Sequence, residues 1–212
     1  MRASPPVVLL LLVAACATAP PAPVSPQEGA LRTLQGRPGW LFEGDRCPAD
    51  VMPADEVAWE PLGELCQNNL PACLDRCQQG EARGCYEAAL QVQRLGRDEP
   101  ASEALFLRTC RLGIPSGCTN RAAGMTKNGD EGEAAFRCAV RTFQRTCEAN
   151  DPWGCTMFGF HLMEGAGIER DPDRALRALK QACIRYGEQD PACQRALELI
   201  DKLRKERRGR SI

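Results

Sequence analysis

At 212 residues, with 43% hydrophobic but only 5% aromatic side chains, the chain is long enough for one ordinary domain or a short repeat array, and too poor in aromatics for a conventional aromatic core. Its 27 basic and 28 acidic residues nearly cancel, which excludes a global field drawing it toward nucleic acid or anionic lipid. Thirteen cysteines would be a liability in a reducing cytosol unless they held metal, so the compartment is the first question.

Arg2 gives a positive start, Val7 to Val13 is an unbroken apolar run, and Val13-Ala14-Ala15-Cys16 sets small residues before a cysteine. Such a stretch is too short to span a bilayer and reads as a cleavable export signal over residues 1–15. Its end resembles the bacterial lipobox, whose cysteine is lipidated and becomes the first mature residue; cleavage at another small residue is the alternative. The resemblance implies lipidation at Cys16 and a lasting membrane anchor, since each buried methylene contributes about 0.8 kcal/mol. Ala17, where an aspartate resembles an inner-membrane retention signal, implies the outer membrane of the cell envelope.

Pro20, Pro21, Pro23 and Pro26 fall in a stretch with no apolar period, so residues 16–39 are expected to be a proline-rich tether. Residues 40–72, which hold Trp40, Cys47 and Trp59, show no readable fold.

From here the cysteines carry the information. Cys77 to Cys85, Cys110 to Cys118 and Cys147 to Cys155 each enclose seven residues, Cys183 to Cys193 encloses nine, and Cys66 to Cys73 encloses six. The first members recur at 77, 110, 147 and 183, in steps of 33, 37 and 36, the length of a helix-turn-helix repeat unit. Their surroundings repeat too. Phe106-Leu-Arg-Thr-Cys110 matches Phe143-Gln-Arg-Thr-Cys147, glycine precedes the second cysteine at Gly84, Gly117 and Gly154, and a small residue follows it four positions on at Ala89, Ala122 and Gly159. Small residues there suit the tight face of a helix pair.

Periodicity makes the units helical: Cys155, Phe158, Gly159 and Leu162 share one face, as do Cys193, Ala196, Leu197 and Ile200. Asp151-Pro152, Asp171-Pro172 and Asp190-Pro191 each place a cap acceptor before a proline suited to the first helical position. The first cysteine of a pair then ends one helix and the second begins the next, around a turn marked by Gly113, Pro115 or Asn150. Disulfides across these corners need Cα separations of about 5.5 to 6 Å. Each closed loop of this size stabilises by roughly 2.5 to 3 kcal/mol.

The segment Cys155-Thr-Met-Phe158-Gly159, Gly165-Ala-Gly167-Ile168-Glu-Arg-Asp171-Pro-Asp-Arg174-Ala175-Leu176 and Ala182-Cys183 resembles the Sel-one-like repeat, an αα-hairpin relative of the tetratricopeptide repeat. With its cysteine spacing the chain is similar to the Hcp-type cysteine-rich bacterial proteins. The likeness is closest over 147–193; between Cys85 and Cys110, only 25 positions apart, it implies shortened helices, and before residue 66 it stops. Cys138 lies nine residues before Cys147 on the same helix, outside the pattern, so Cys47 and Cys138 either bridge each other or stay free thiols.

Other chemistry finds little support. No two cysteines have the C-x2-C spacing of structural zinc or thioredoxin-like redox sites; Cys73 and Cys77 are four apart on one helix. His161 is the only histidine, too few for catalytic zinc, and reads as a packing residue. Some Hcp-type proteins are described as β-lactamases or penicillin binders, which makes weak β-lactam hydrolysis or binding the alternative function. Yet none of Ser4, Ser25, Ser102, Ser116 and Ser211 begins an S-x-x-K motif, and K-T-G and S-D-N are missing. Trp153 serves either to cover a disulfide, which the resemblance favours, or as an exposed anchor for a partner. The basic run Arg204, Lys205, Arg207, Arg208 and Arg210 complements a helix C-terminus, with lipid headgroups or an acidic partner as the other reading.

The expected fold is therefore all-α, a right-handed solenoid of about three and a half αα-hairpins over residues 73–208, ahead of a disordered tail at 209–212. The expected function is that of a non-catalytic envelope scaffold, without cofactor or metal, binding a protein or peptide on its concave face. A purely structural envelope protein is the third reading.

Overall fold

A computed structural model describes residues 25–35, 46–55, 66, 68–96, 99–127 and 132–209, so Cys16, Trp40 and Trp59 lie outside the described residues. The protein is all-helical, with no strand among the described residues. Two N-terminal helices, α1 (Pro26–Gln35) and α2 (Pro48–Val51), precede the array of α3 (Leu70–Gln78), α4 (Ala82–Leu95), α5 (Glu99–Arg111), α6 (Pro115–Thr126), α7 (Gly132–Glu148), α8 (Pro152–Glu164), α9 (Pro172–Gln181) and α10 (Pro191–Gly209). From α3 onward each helix packs on the next in sequence order, and α10 lies against both α8 and α9.

The first three corners share one construction. Three residues after the first cysteine the backbone turns left-handed, at Gly80 (φ 86°), Gly113 (φ 91°) and Asn150 (φ 57°). The next residue donates its N–H back five positions, from Glu81 to Arg76 O (3.0 Å), Ile114 to Thr109 O (3.2 Å) and Asp151 to Thr146 O (2.9 Å). This ends one helix in a Schellman motif and makes that same residue the N-cap of the next. Disulfides then join Cys77 to Cys85, Cys110 to Cys118, Cys147 to Cys155 and Cys183 to Cys193 across the corners. Their Cα atoms are 4.3 to 4.6 Å apart, nearer than the spacing expected from sequence. At three of these corners the residue before the second cysteine is a glycine in close backbone contact, and at the fourth it is Ala192. A Cβ built on Gly84, Gly117 or Gly154 lies 2.9 to 3.1 Å from the backbone nitrogen of Cys77, Cys110 or Cys147.

The aspartate caps act as expected. Asp151 accepts from Gly154 N, Asp171 from Asp173 and Arg174 N, and Asp190 from Ala192 and Cys193 N. The repeated Phe-x-Arg-Thr-Cys stretch divides its labour: Phe106 and Phe143 are fully buried, and Thr109 and Thr146 lie under Gly117 and Gly154. Arg108, two residues before a corner cysteine, donates to Cys77 O of the preceding corner at 3.2 Å, and Gln181 does the same to Cys147 O at 2.9 Å.

Arg145, in the equivalent position, bonds instead to Ala49 O and Met52 O of the α2 segment. Around it, Ala49 N donates to Thr142 Oγ1 (3.1 Å), Arg141 pairs with Asp50 (2.8 Å), and Cys47 is bonded to Cys138. Of the two fates left open for these cysteines, the bridge is the one observed. α2 is thus clipped to α7 and also packs on α5 and α6, and Cys66 to Cys73 closes the start of α3.

Three features differ from the sequence reading. Residues 16–39 are not all tether, because Leu31 and Leu34 of α1 bury themselves against the cluster of Leu70, Leu74 and Ala88; their spacing of three was enough to make one apolar helical face. The helices between Cys85 and Cys110 are not shortened, at 14 and 13 residues; only three residues separate α4 from α5, against seven between α8 and α9. The tail is helical to Gly209, where Arg207 pairs with Asp173 and Glu206 with Arg170, tying α10 to the start of α9; residues 210–212 lie outside those described. The basic run is thereby partly engaged within the protein.

The core falls into two clusters, one of α1 and α3–α5 and the other of α6–α10. Cys66, Cys73, Cys77, Cys85, Cys110, Cys118, Cys155 and Cys193 have no exposed surface, so sulfur fills space that aromatics occupy in other domains of this size.

Candidate binding cleft

A concavity of about 540 Å³ forms a cleft running over α4 to α8. Its polar side is made by Gln93 on α4, Ser102 and Glu103 on α5, and Asn120 and Lys127 on and just beyond α6. Its apolar side is made by Phe136 of α7 and Met157 and Phe160 of α8. Depth comes from the small residues Gly96, Ala123, Gly124 and Ala166. Gly124 has a particular duty. Glu103 lies across the α6 backbone there, paired with Arg121 at 3.2 Å, and a Cβ on residue 124 would meet its carboxyl carbon at 2.5 Å.

His161 closes one wall. It is 2% exposed and packed between the rings of Phe143, Phe160 and Phe136 at centroid distances of 5.4, 5.7 and 6.2 Å. Nδ1 is 2.8 Å from Ala166 O, and a carbonyl only accepts, so Nδ1 carries the proton. Burial pushes the imidazole pKa below its ordinary 6.5, the Ala166 carbonyl pulling the other way, and the ring is neutral at neutral pH. The Gly165-Ala166-Gly167 loop sets this geometry. Gly165 (φ 78°) ends α8, and Gly167 (φ 72°) lies so near α7 that a Cβ would be 2.9 Å from the Phe136 backbone.

A smaller concavity of about 200 Å³ lies at the corner between α7 and α8, lined by Tyr86, Ser116, Asp151, Trp153, Arg185 and Tyr186. Trp153 is 43% exposed at this corner, beside the buried Cys147 to Cys155 bridge. Asp151 is 3% exposed and accepts from Ser116 Oγ (2.6 Å), Thr119 Oγ1 (2.7 Å) and Gly154 N (2.8 Å). Burial raises its pKa above the usual carboxylate value despite these donors. Burial, and then the Asp151 charge, push the Tyr86 phenol up to about 12. Ser116 here donates to an acceptor already committed to capping α8, which makes the pair a joint between α6 and α8.

The cysteines named from sequence are brought together only in pairs. Among the described residues no group of three or more His, Cys, Asp or Glu side chains is placed to hold a metal ion, and no helix is long and apolar enough to cross a membrane. Sequence reasoning found His161 but not the cleft, whose lining comes from five helices; Gly165 and Gly167, read as a family signature, were the available signal.

Compared with known proteins, the chain matches no family model, no curated protein and no solved structure. Fold and bridges define a cysteine-rich helical repeat protein. Its six disulfides fit an oxidising, extracytoplasmic compartment.

Proposed function

We propose that the chain is a non-catalytic binding protein of the bacterial cell envelope, held by a lipid on Cys16 at the outer membrane, which takes up a peptide segment of a partner protein in the α4–α8 cleft. The relationship to the Sel-one-like repeats of the Hcp type belongs to this proposal and rests on the residues around Cys147 to Cys193. The observation that carries the function is the cleft itself: about 540 Å³, with an apolar side of Phe136, Met157 and Phe160 facing polar groups of α4 to α6. A few precisely placed polar groups on an otherwise apolar hollow suit recognition of a side chain with its flanking backbone. The fixed disulfide corners keep the helices from rearranging, so little ordering cost falls on binding.

The test is to pan a peptide display library on the oxidised mature protein and on an Ala123→Phe variant, in which the cleft is filled. Peptides enriched on the first and lost on the second are expected. Failure to enrich any peptide, or equal recovery on both proteins, would overturn the proposal.

A further inference from the structure

One polar atom in the cleft is left over by the packing around it. The Nδ1 proton of His161 is spent on Ala166 O, and Nε2 meets no partner among the described residues. The ring is 2% exposed and lines the cleft. Phe136, Phe143 and Phe160 fix the imidazole plane, and the Ala166 carbonyl fixes the tautomer. What remains is a lone pair, held still in a mostly apolar hollow. A ring needed for filling alone has a better choice in phenylalanine, which all three neighbours already are.

The surroundings say what such an acceptor is for. Phe136, Met157 and Phe160 offer rings and a thioether to a flat apolar body, and Ala123 and Gly124 leave room for its depth. An ammonium group would have to shed its hydration on entering a hollow with so much apolar wall. The matching group is an aromatic ring with a neutral donor at its tip. We infer that the cleft receives a tyrosine or tryptophan side chain of the bound segment, its O–H or ring N–H donating to Nε2 of His161. This rests on the peptide-binding reading and adds to it a named anchor and a named acceptor.

The experiment compares N-acetyl-tyrosinamide with N-acetyl-phenylalaninamide, which differ by one hydroxyl, titrated into the oxidised mature protein. Backbone amide resonances of Ala123, Gly124 and Phe160 report occupancy, and the ring nitrogen resonances of His161 report the hydrogen bond. The tyrosine probe is expected to saturate at about fivefold lower concentration, the ratio that one neutral hydrogen bond supplies. It should move the Nε2 resonance, while the phenylalanine probe leaves it unmoved. His161→Phe should erase the preference without abolishing occupancy, and the wild-type Nε2 signal answers the question even if that variant folds poorly. Equal saturation by the two probes, or an Nε2 resonance indifferent to both, overturns the donor contact while leaving the peptide reading to the display experiment. Absence of any amide shift overturns the aromatic anchor as well.

Discussion

Gly154 rests on Thr146 so closely that a methyl group on its α-carbon would lie 2.9 Å from the threonine Cβ. The same approach joins Gly117 to Thr109, at 2.7 Å, and Gly84 to Arg76, at 2.6 Å. In an exposed helix alanine is favoured over glycine by about 1 kcal/mol. Here the neighbour is a β-carbon backed by a disulfide-locked corner, and neither side has room to give. Gly154→Ala is therefore expected to destabilise by about 1–3 kcal/mol, read as a fall in the urea midpoint. A rise in the midpoint would show that the corner relaxes.

Asp151 couples α6 to α8 through Ser116, Thr119 and the Gly154 amide. Asp151→Ala strands these donors and is expected to cost about 2–3 kcal/mol, whereas Asp151→Asn keeps an acceptor and should cost less. The pH dependence has a definite sign. An acid whose folded-state pKa lies above its unfolded value of 3.8 binds its proton earlier in the folded state, so stability rises as pH falls through the raised value. Wild type should therefore gain on Asp151→Asn during acidification, in paired urea melts. A constant difference between the two would contradict the buried charge.

His161 tilts the other way. Its folded pKa is depressed below 6.5, so the stability it contributes is full above that value. It drains as pH falls toward the depressed one, because the unfolded chain takes the proton first. Subtracting the stability of His161→Phe from wild type across this range should give a curve that declines on acidification. A flat difference would mean that the ring is already charged or well solvated.

The Cys47 to Cys138 bridge joins positions 91 apart, unlike the corner staples, which span 8 or 10. Replacing both cysteines with alanine is expected to cost about 2–5 kcal/mol, within the range for native bridges. Hydrogen exchange should rise first in α2 and in the exposed edge of α7 near Arg141, with α8 to α10 protected as before. Uniform loss of protection along the chain would show that the clip supports the whole array.

What the sequence made legible was whatever repeats or acts over a few residues. The corner cysteines, the glycines before them and the Asp-Pro caps all work within one turn of chain, so spacing alone located them. α1 was obscured by the prolines before it, and its two leucines find their partners on α3, some forty positions downstream. α2 has four residues and is held from outside, by Thr142, Arg145 and a distant sulfur, so no local pattern could announce it. His161 was legible as a packing residue because a lone histidine is too few for a catalytic zinc site. Its accepting nitrogen was not, because that depends on where the backbone of Ala166 turns.

The connectivity of the sulfurs also bears on how the chain is made. Five bonds join cysteines that are direct neighbours in the order of synthesis, and each can close as soon as its second member emerges. Cys47 alone must wait while six later cysteines, from Cys66 to Cys118, find one another. An oxidant that paired thiols strictly as they appeared would tie Cys47 to Cys66 and shift every partner by one as far as Cys138, leaving only the last two bridges correct. Maturation of this protein accordingly depends on a disulfide-shuffling helper, or on α3 to α6 folding fast enough to withdraw their own thiols first.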